Sequence, residues 1–136
     1  MRLRFPKAAR LSQTREFHRV RDQGRSWAGR YFVLGLLAQP NGTEAGTNAA
    51  SRVGFVTSRR VGGAVVRNRV RRRLREIVRA NRAQLRPGCW IVLIARRAAA
   101  AANFRQLNDE WLRLTRRAGI LLPPPAPAPA DDGNAA

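Results

Sequence analysis

Ser58-Arg59-Arg60-Val61-Gly62-Gly63-Ala64-Val65-Val66-Arg67-Asn68-Arg69-Val70-Arg71-Arg72-Arg73-Leu74-Arg75, residues 58 to 75, is the stretch on which the fold turns. Read as a helix entered through a glycine pair and running from Ala64 to Ala83, it places Val66, Val70, Leu74, Ile77 and Val78 on one apolar stripe. Arg67, Arg71, Arg75 and Arg79 recur every fourth residue and stack along one side of the same cylinder. Arg69, Arg72, Arg73 and Arg82 widen that band. Like charges one turn apart repel by about 0.2–0.5 kcal/mol per pair, and Glu76 is the only acid within the helix to offset them. A band of one sign on a well-formed amphipathic helix therefore implies a polyanionic partner, since a merely solvated face usually mixes signs.

Composition extends this reading to the whole chain. Its 136 residues carry 27 Lys+Arg against 8 Asp+Glu, a formal charge of +19 with a sequence pI near 12.0. Nucleic acid is the first partner such a balance implies, an anionic membrane surface the second. Lys7 is the only lysine. Arginine's planar fork bonds two phosphate oxygens at once and stacks on bases, which lysine does not. The single cysteine, Cys89, excludes an intrachain disulfide framework and zinc-finger spacing, which fits a reducing, cytoplasmic setting. Met1 to Pro6 is not followed by an apolar segment of signal-peptide type, and no apolar run reaches the ~18 residues of a membrane span. The expectation is a protein without a membrane role.

Working outward along the chain, residues 1 to 11 read as a basic arm broken by Pro6. A short helix follows, capped by Ser12 or Thr14 and stopped at Gly24, with Phe17 and Val20 on one face. His18 is alone and carries no chemistry. Residues 27 to 38 read as a strand apolar on both faces, with an extra short strand possible near Arg25 to Trp27. Residues 40 to 50 read as a flexible loop, and Arg52 to Ser58 as a second strand in which Val53 and Phe55 alternate with Gly54 and Val56.

Behind the arginine helix, Pro87-Gly88 introduces a buried strand, Cys89 to Ala95. A last helix spans Phe104 to Ala118, with Asn103 and Gln106 as a capping box and Gly119 as its stop. The domain is thus bounded at 12–119, and residues 120 to 136 read as a disordered Pro/Ala-rich tail. Strand, helix and strand from Val53 to Ala95 predict a parallel pair with the arginine helix as crossover, hence a small α+β sandwich of one sheet and packed helices.

Catalytic constellations are missing from the sequence. Asp109 and Glu110 are helix neighbours that point apart and read as facing solvent or arginines; Asp131 and Asp132 lie in the tail; Cys89 has no evident base. What remains is binding. Val61-Gly62-Gly63 lets backbone approach a phosphate at a helix N-terminus, with Arg59 and Arg60 just before it. Phe17, Tyr31 and Phe32 are aromatics able to stack on bases if the first helix and the sheet form a groove. A structural RNA-binding protein of ribosomal type satisfies the same composition. A helix-turn-helix does not, because a strand stands where its first helix should be.

The run Arg52-Val53-Gly54-Phe55-Val56-Thr57-Ser58-Arg59-Arg60-Val61-Gly62-Gly63-Ala64-Val65-Val66-Arg67-Asn68-Arg69 resembles the signature of the bacterial ribonuclease P protein component. Glu16-Phe17 with Val20 and Gly24, Arg30 with Phe32-Val33-Leu34, and Ile91 to Arg96 support the resemblance, which spans residues 10 to 118. It implies an αβββαβα order with a left-handed crossover through the arginine helix. It also implies a subunit that joins a catalytic RNA to remove the 5′ leader of precursor tRNA, with Mg²⁺ held mainly by the RNA and no catalytic residue or metal site in the protein. Carried over residue by residue, contact with the catalytic RNA falls to Arg59, Arg60, Arg67, Asn68, Arg69, Arg71, Arg72 and Arg75. Leader contact falls to Phe17, Arg21, Tyr31, Ser58 and Arg59. Arg21 stands where the family commonly has an aromatic, and Gly35 where a strand aromatic can occur.

Overall fold

A computed structural model of the chain describes residues 10–11, 13–38 and 51–121. The arm before residue 10, the loop at 40–50 and the tail beyond 121 lie outside the described residues, as does Ser12. The elements are α1 (Thr14–Gln23), β1 (Arg25–Ala28), β2 (Phe32–Ala38), β3 (Arg52–Val56), α2 (Ala64–Asn81), β4 (Cys89–Ala95) and α3 (Phe104–Ala118). This is the αβββαβα order that the resemblance implies. Single 3-10 turns follow α2 at Arg82–Gln84 and precede α3 at Arg97–Ala101.

The sheet order is β1-β2-β4-β3. β4 runs antiparallel to β2 and parallel to β3, in register Val53↔Ile91 and Phe55↔Leu93, so α2 is the crossover that the strand-helix-strand pattern predicts. Ser51 ties the two parallel strands together at their start: its hydroxyl donates to the Arg86 carbonyl (2.6 Å) and accepts from the Cys89 N–H (3.1 Å). Burial pushes the Cys89 thiol up from its ordinary value, so the native protein is expected to resist alkylation at pH 8 and to react on unfolding. Rapid labelling of the native state would contradict that packing.

The larger core lies between one face of the sheet and the two long helices. Val70, Leu74, Ile77 and Val78 from α2 and Leu107, Trp111 and Leu114 from α3 meet Phe32, Leu34, Val53, Ile91 and Leu93. The stripe predicted for α2 is the buried face apart from Val66, which is partly exposed. On the other face of the sheet α1 is seated by a smaller cluster of Leu11, Val20 and Val92, with Phe17, Leu37, Val56 and Trp90 against it. α3 begins with the predicted reciprocal cap between Asn103 and Gln106 (2.8 and 2.9 Å) and ends at Gly119, whose φ of 74° is the left-handed cap glycine accepts without strain.

Four expectations change. The strand read from 27 to 38 begins only at Phe32; the extra short strand near Arg25 to Trp27 is β1, and the two form a hairpin turned through Gly29, Arg30 and Tyr31. The turn is made by Glu110, which meets an arginine, Arg113 (2.9 Å), but not solvent: it is 1% exposed, and its carboxylate accepts from the N–H groups of Arg30 (2.8 Å), Tyr31 (2.8 Å) and Phe32 (2.9 Å). A Cβ at Gly29 would stand 2.4 Å from the Glu110 carboxyl carbon, so glycine is what lets the carboxylate in. The first helix is capped at Gln13, whose N–H donates to Glu16 (3.1 Å), with Thr14 already inside it. Finally, the packed domain passes residue 119: Ile120 is buried, accepts from the Arg86 N–H (2.8 Å), and is followed by a bridge between Leu121 and Leu85.

Candidate nucleic-acid interface

The arginines of α2 divide by what they touch. On the side toward β3, Arg71 donates to Thr57 Oγ1 (2.5 Å) and to Asn68 Oδ1 (3.1 Å), and the Arg75 guanidinium stands 5.8 Å from the Phe55 ring centroid. Burial, with the nearby charges of Arg10 and Arg71, pulls the Arg75 pKa down, though an arginine so placed stays charged. On the opposite side Arg69 donates to the Ala100 carbonyl (3.1 Å) and Arg73 to that of Ala102 (2.7 Å), which fixes the helix to the 3-10 turn before α3. Near its C-terminal end, Arg79 pairs with Glu76 (3.0 Å), and that bond raises its pKa.

Between these flanks runs an outward ridge of Val65, Asn68 and Arg72, all exposed. Arg59 and Arg60, in the turn before α2, are exposed too. Arg67 is half-buried beside them, and its Nε is buried without a hydrogen bond. The turn itself needs Gly62, whose φ is 154° and whose added Cβ would sit 2.9 Å from the Val66 side chain.

The second surface is an open groove between α1 and the uncovered part of the sheet. A cavity of about 160 Å³ is lined by Phe17, Val20 and Arg21 of α1 and by Val33, Gly35, Val92 and Ile94 of the sheet, with Arg25 at its margin. Ile94 is 42% exposed, a large apolar residue left open at the centre of the sheet. It also lines a wider depression of about 610 Å³ with Ser58, Arg60, Arg96 and Arg97, so apolar floor and arginine rim are continuous. A Cβ on Gly35 would come within 3.3 Å of Val20, so a larger residue there requires Val20 to yield.

Of the residues assigned to a leader groove, Phe17, Arg21 and Ser58 line this surface, and Arg59 lies next to Ser58 in the chain. Phe17 also packs on Gly54, where an added Cβ would fall 2.4 Å from the ring. Arg21 bonds Asp22 (2.9 Å) in an exposed pair, and the bond raises the one pKa and lowers the other. Tyr31 lies in the hairpin turn, packs against the larger core and has the Arg30 guanidinium 5.7 Å from its ring, so it is not brought to Phe17. Phe32 is fully buried and cannot stack on a base. Sequence reasoning did not single out Val33, Val92, Ile94, Arg25, Arg96 or Arg97. The usable signal was parity: Trp90, Val92 and Ile94 share the face covered only by the ten-residue α1.

Among the described residues no group of three or more His, Cys, Asp or Glu is placed to hold an ion. Glu16, Glu76 and Glu110 are each engaged by an arginine. No described helix is long and apolar enough to cross a membrane.

Fold and surface define a class, a small α+β protein that carries an arginine-lined ridge on one helix and an apolar, arginine-rimmed groove across its sheet. A sequence model of the family described as Ribonuclease P matches residues 5–119. The ribonuclease P protein component of Symbiobacterium thermophilum is 45% identical over 115 residues, covering 85% of this chain and 95% of that protein. That of Roseiflexus castenholzii is 45% identical over 117 residues, covering 85% and 89%. Among solved structures, the RNase P protein of Staphylococcus aureus superposes with a TM-score of 0.74 at 25% identity over 85% of this chain and 99% of that one. The Thermotoga maritima RNase P protein gives 0.68 at 29% identity, over 79% and 96%. The chain belongs to the ribonuclease P protein family.

Proposed function

We propose that this chain is the protein subunit of a bacterial ribonuclease P. The observation that carries the proposal is the pairing of an arginine ridge with a separate sheet-floored groove in a chain of this family. Arg59, Arg60, Arg67, Asn68 and Arg72 present donors toward the phosphates of the catalytic RNA. Arg71 and Arg75 stand behind them on the β3 side, and Arg69 holds the helix in place through its carbonyl bond. The groove takes the single-stranded 5′ leader of precursor tRNA, bases against Phe17, Val92 and Ile94 and phosphates toward Arg21, Ser58, Arg60 and Arg96.

Hydrolysis of the leader bond falls to the RNA and its Mg²⁺ in this reading: Glu16, Asp22, Glu76 and Glu110 are each paired with an arginine, and Asp109 stands exposed on α3. The protein's part is to raise affinity for leader-bearing substrate and screen the phosphates brought together by assembly. Adding purified protein to the catalytic RNA at low Mg²⁺, and following precursor cleavage, tests this: the expected result is a large gain in rate, and no gain would refute the subunit role. Within that assay, Phe17→Ala is expected to lower affinity for leader-bearing precursor by about 1–3 kcal/mol while sparing mature tRNA. Equal losses for both substrates would reduce Phe17 to its packing on Gly54.

A further inference from the structure

Beyond the groove, on the other flank of α1, Trp90 forms a second aromatic and cationic site. The groove meets α1 along Phe17, Val20, Arg21 and Gly24. A separate open concavity of about 500 Å³ meets it along Arg15, Glu16 and Arg19, with Arg52 and Trp90 supplied by the sheet. Trp90 is the second residue of β4 and is half-buried on the α1 side. Two guanidiniums flank its ring, Arg19 at 5.5 Å and Arg52 at 5.7 Å from the centroid.

Those two arginines are held differently. Arg52 is built in: it donates to Glu16 Oε2 (2.7 Å) and to the Arg10 carbonyl (2.7 Å). Arg19 lies on the outer flank of α1 and donates to Gln23 (3.2 Å) in an exposed pair. Among the described residues that line the concavity, three arginines, Arg15, Arg19 and Arg52, stand with one acid, Glu16, beside an indole. Base stacking on an aromatic ring, with arginines on the adjoining phosphates, is the chemistry by which proteins hold unpaired nucleotides. Its size falls within the roughly 300–1,000 Å³ of small-ligand pockets, enough for one nucleotide.

We infer that Trp90, with Arg15 and Arg19, binds one unpaired RNA nucleotide on the flank of α1 opposite the groove. Arg52 keeps its place against the ring; Arg19 turns from the indole to the phosphate as the base arrives. The inference rests on the proposed RNA-binding role. Two sources could supply the nucleotide, a leader long enough to pass around α1 or an unpaired segment of the catalytic RNA.

The test compares Trp90→Leu, which keeps an apolar side chain without an aromatic face, with Trp90→Phe, which keeps a face. Dissociation constants are measured for precursor tRNA with leaders of about three and about ten nucleotides, and for the catalytic RNA alone, after thermal melts show each variant folded. Trp90→Leu is expected to bind about tenfold more weakly in one arm, from loss of one stacked base, and Trp90→Phe within about twofold of the parent. Loss confined to the long leader assigns the nucleotide to the substrate; loss with the catalytic RNA alone assigns it there. If Trp90→Leu matches the parent in every arm, or if both variants weaken every arm alike, Trp90 is a packing residue and the inference is overturned. The parent's own stimulation of cleavage, measured in parallel, shows whether the subunit role has failed instead.

Discussion

Glu110→Ala is expected to lower the free energy of unfolding by about 3–5 kcal/mol, the range for removing one partner from a buried charged network. The reason is geometric. A single carboxylate closes the β1–β2 turn by accepting three successive backbone N–H groups, and Arg113 (2.9 Å) completes it from the solvent side. Alanine leaves those donors without their acceptor, one of them, the Phe32 N–H, within the larger core. Set against the roughly 5–15 kcal/mol of a typical domain, this is a large fraction. Glu110→Gln keeps one acceptor oxygen but turns an amide against the donors, so it should recover less than half the loss. Denaturant titrations of the three proteins decide it; a loss below about 1 kcal/mol for alanine would mean that water replaces the carboxylate and that the turn is set by its own sequence.

The second large effect is on RNA affinity. Converting Arg59, Arg60, Arg67 and Arg72 together to glutamine removes four positive charges from the outward surface. Removing one arginine–phosphate pairing flattens the slope of log affinity against log salt by about 0.7–0.9, so the slope for the catalytic RNA should fall by roughly 3. Affinity near 0.1 M salt should drop on the order of a hundredfold or more. The control is Arg69→Gln with Arg73→Gln, whose guanidiniums are already committed to the carbonyls of Ala100 and Ala102. That pair should lower the melting temperature while moving the salt slope much less. Were the two sets to behave alike, the division of α2 into a braced flank and an RNA-facing ridge would be wrong.

What could be read from the chain, and what could not, follows from the range of the forces involved. The arginine helix is written in local periodicity, and its apolar stripe is the face that packs. The parallel pair around it followed from the order strand, helix, strand. The short first strand was offered near Arg25 to Trp27, but the place of the break at Gly29 was illegible because its cause, Glu110, lies about eighty residues away and looks on α3 like one more acid facing solvent or an arginine. The groove was half legible. Phe17 and Arg21 announce it on α1, but its floor is drawn from the continuous apolar run of β4, where only the footprint of a short helix decides that Ile94 stays open. Tyr31 shows the same limit: in an unbroken strand from 27 to 38 it would share a face with Val33, whereas the turn carries it to the larger core.

The sheet order has a bearing on how the chain is born. β4 lies between β2 and β3, yet it is the last strand in sequence, and the carboxylate that closes the first hairpin comes later still. A nascent chain that has released α1 through α2 has β2 and β3 with no common neighbour, and an arginine helix with no sheet to cover its stripe. Both long-range closures must wait for residues 89 to 110, so this domain should fold in one late step after most of it has left the ribosome, and more slowly than its size suggests. Arrested chains ending before Cys89 should be sensitive to protease throughout, and those ending after Leu121, once clear of the exit tunnel, resistant.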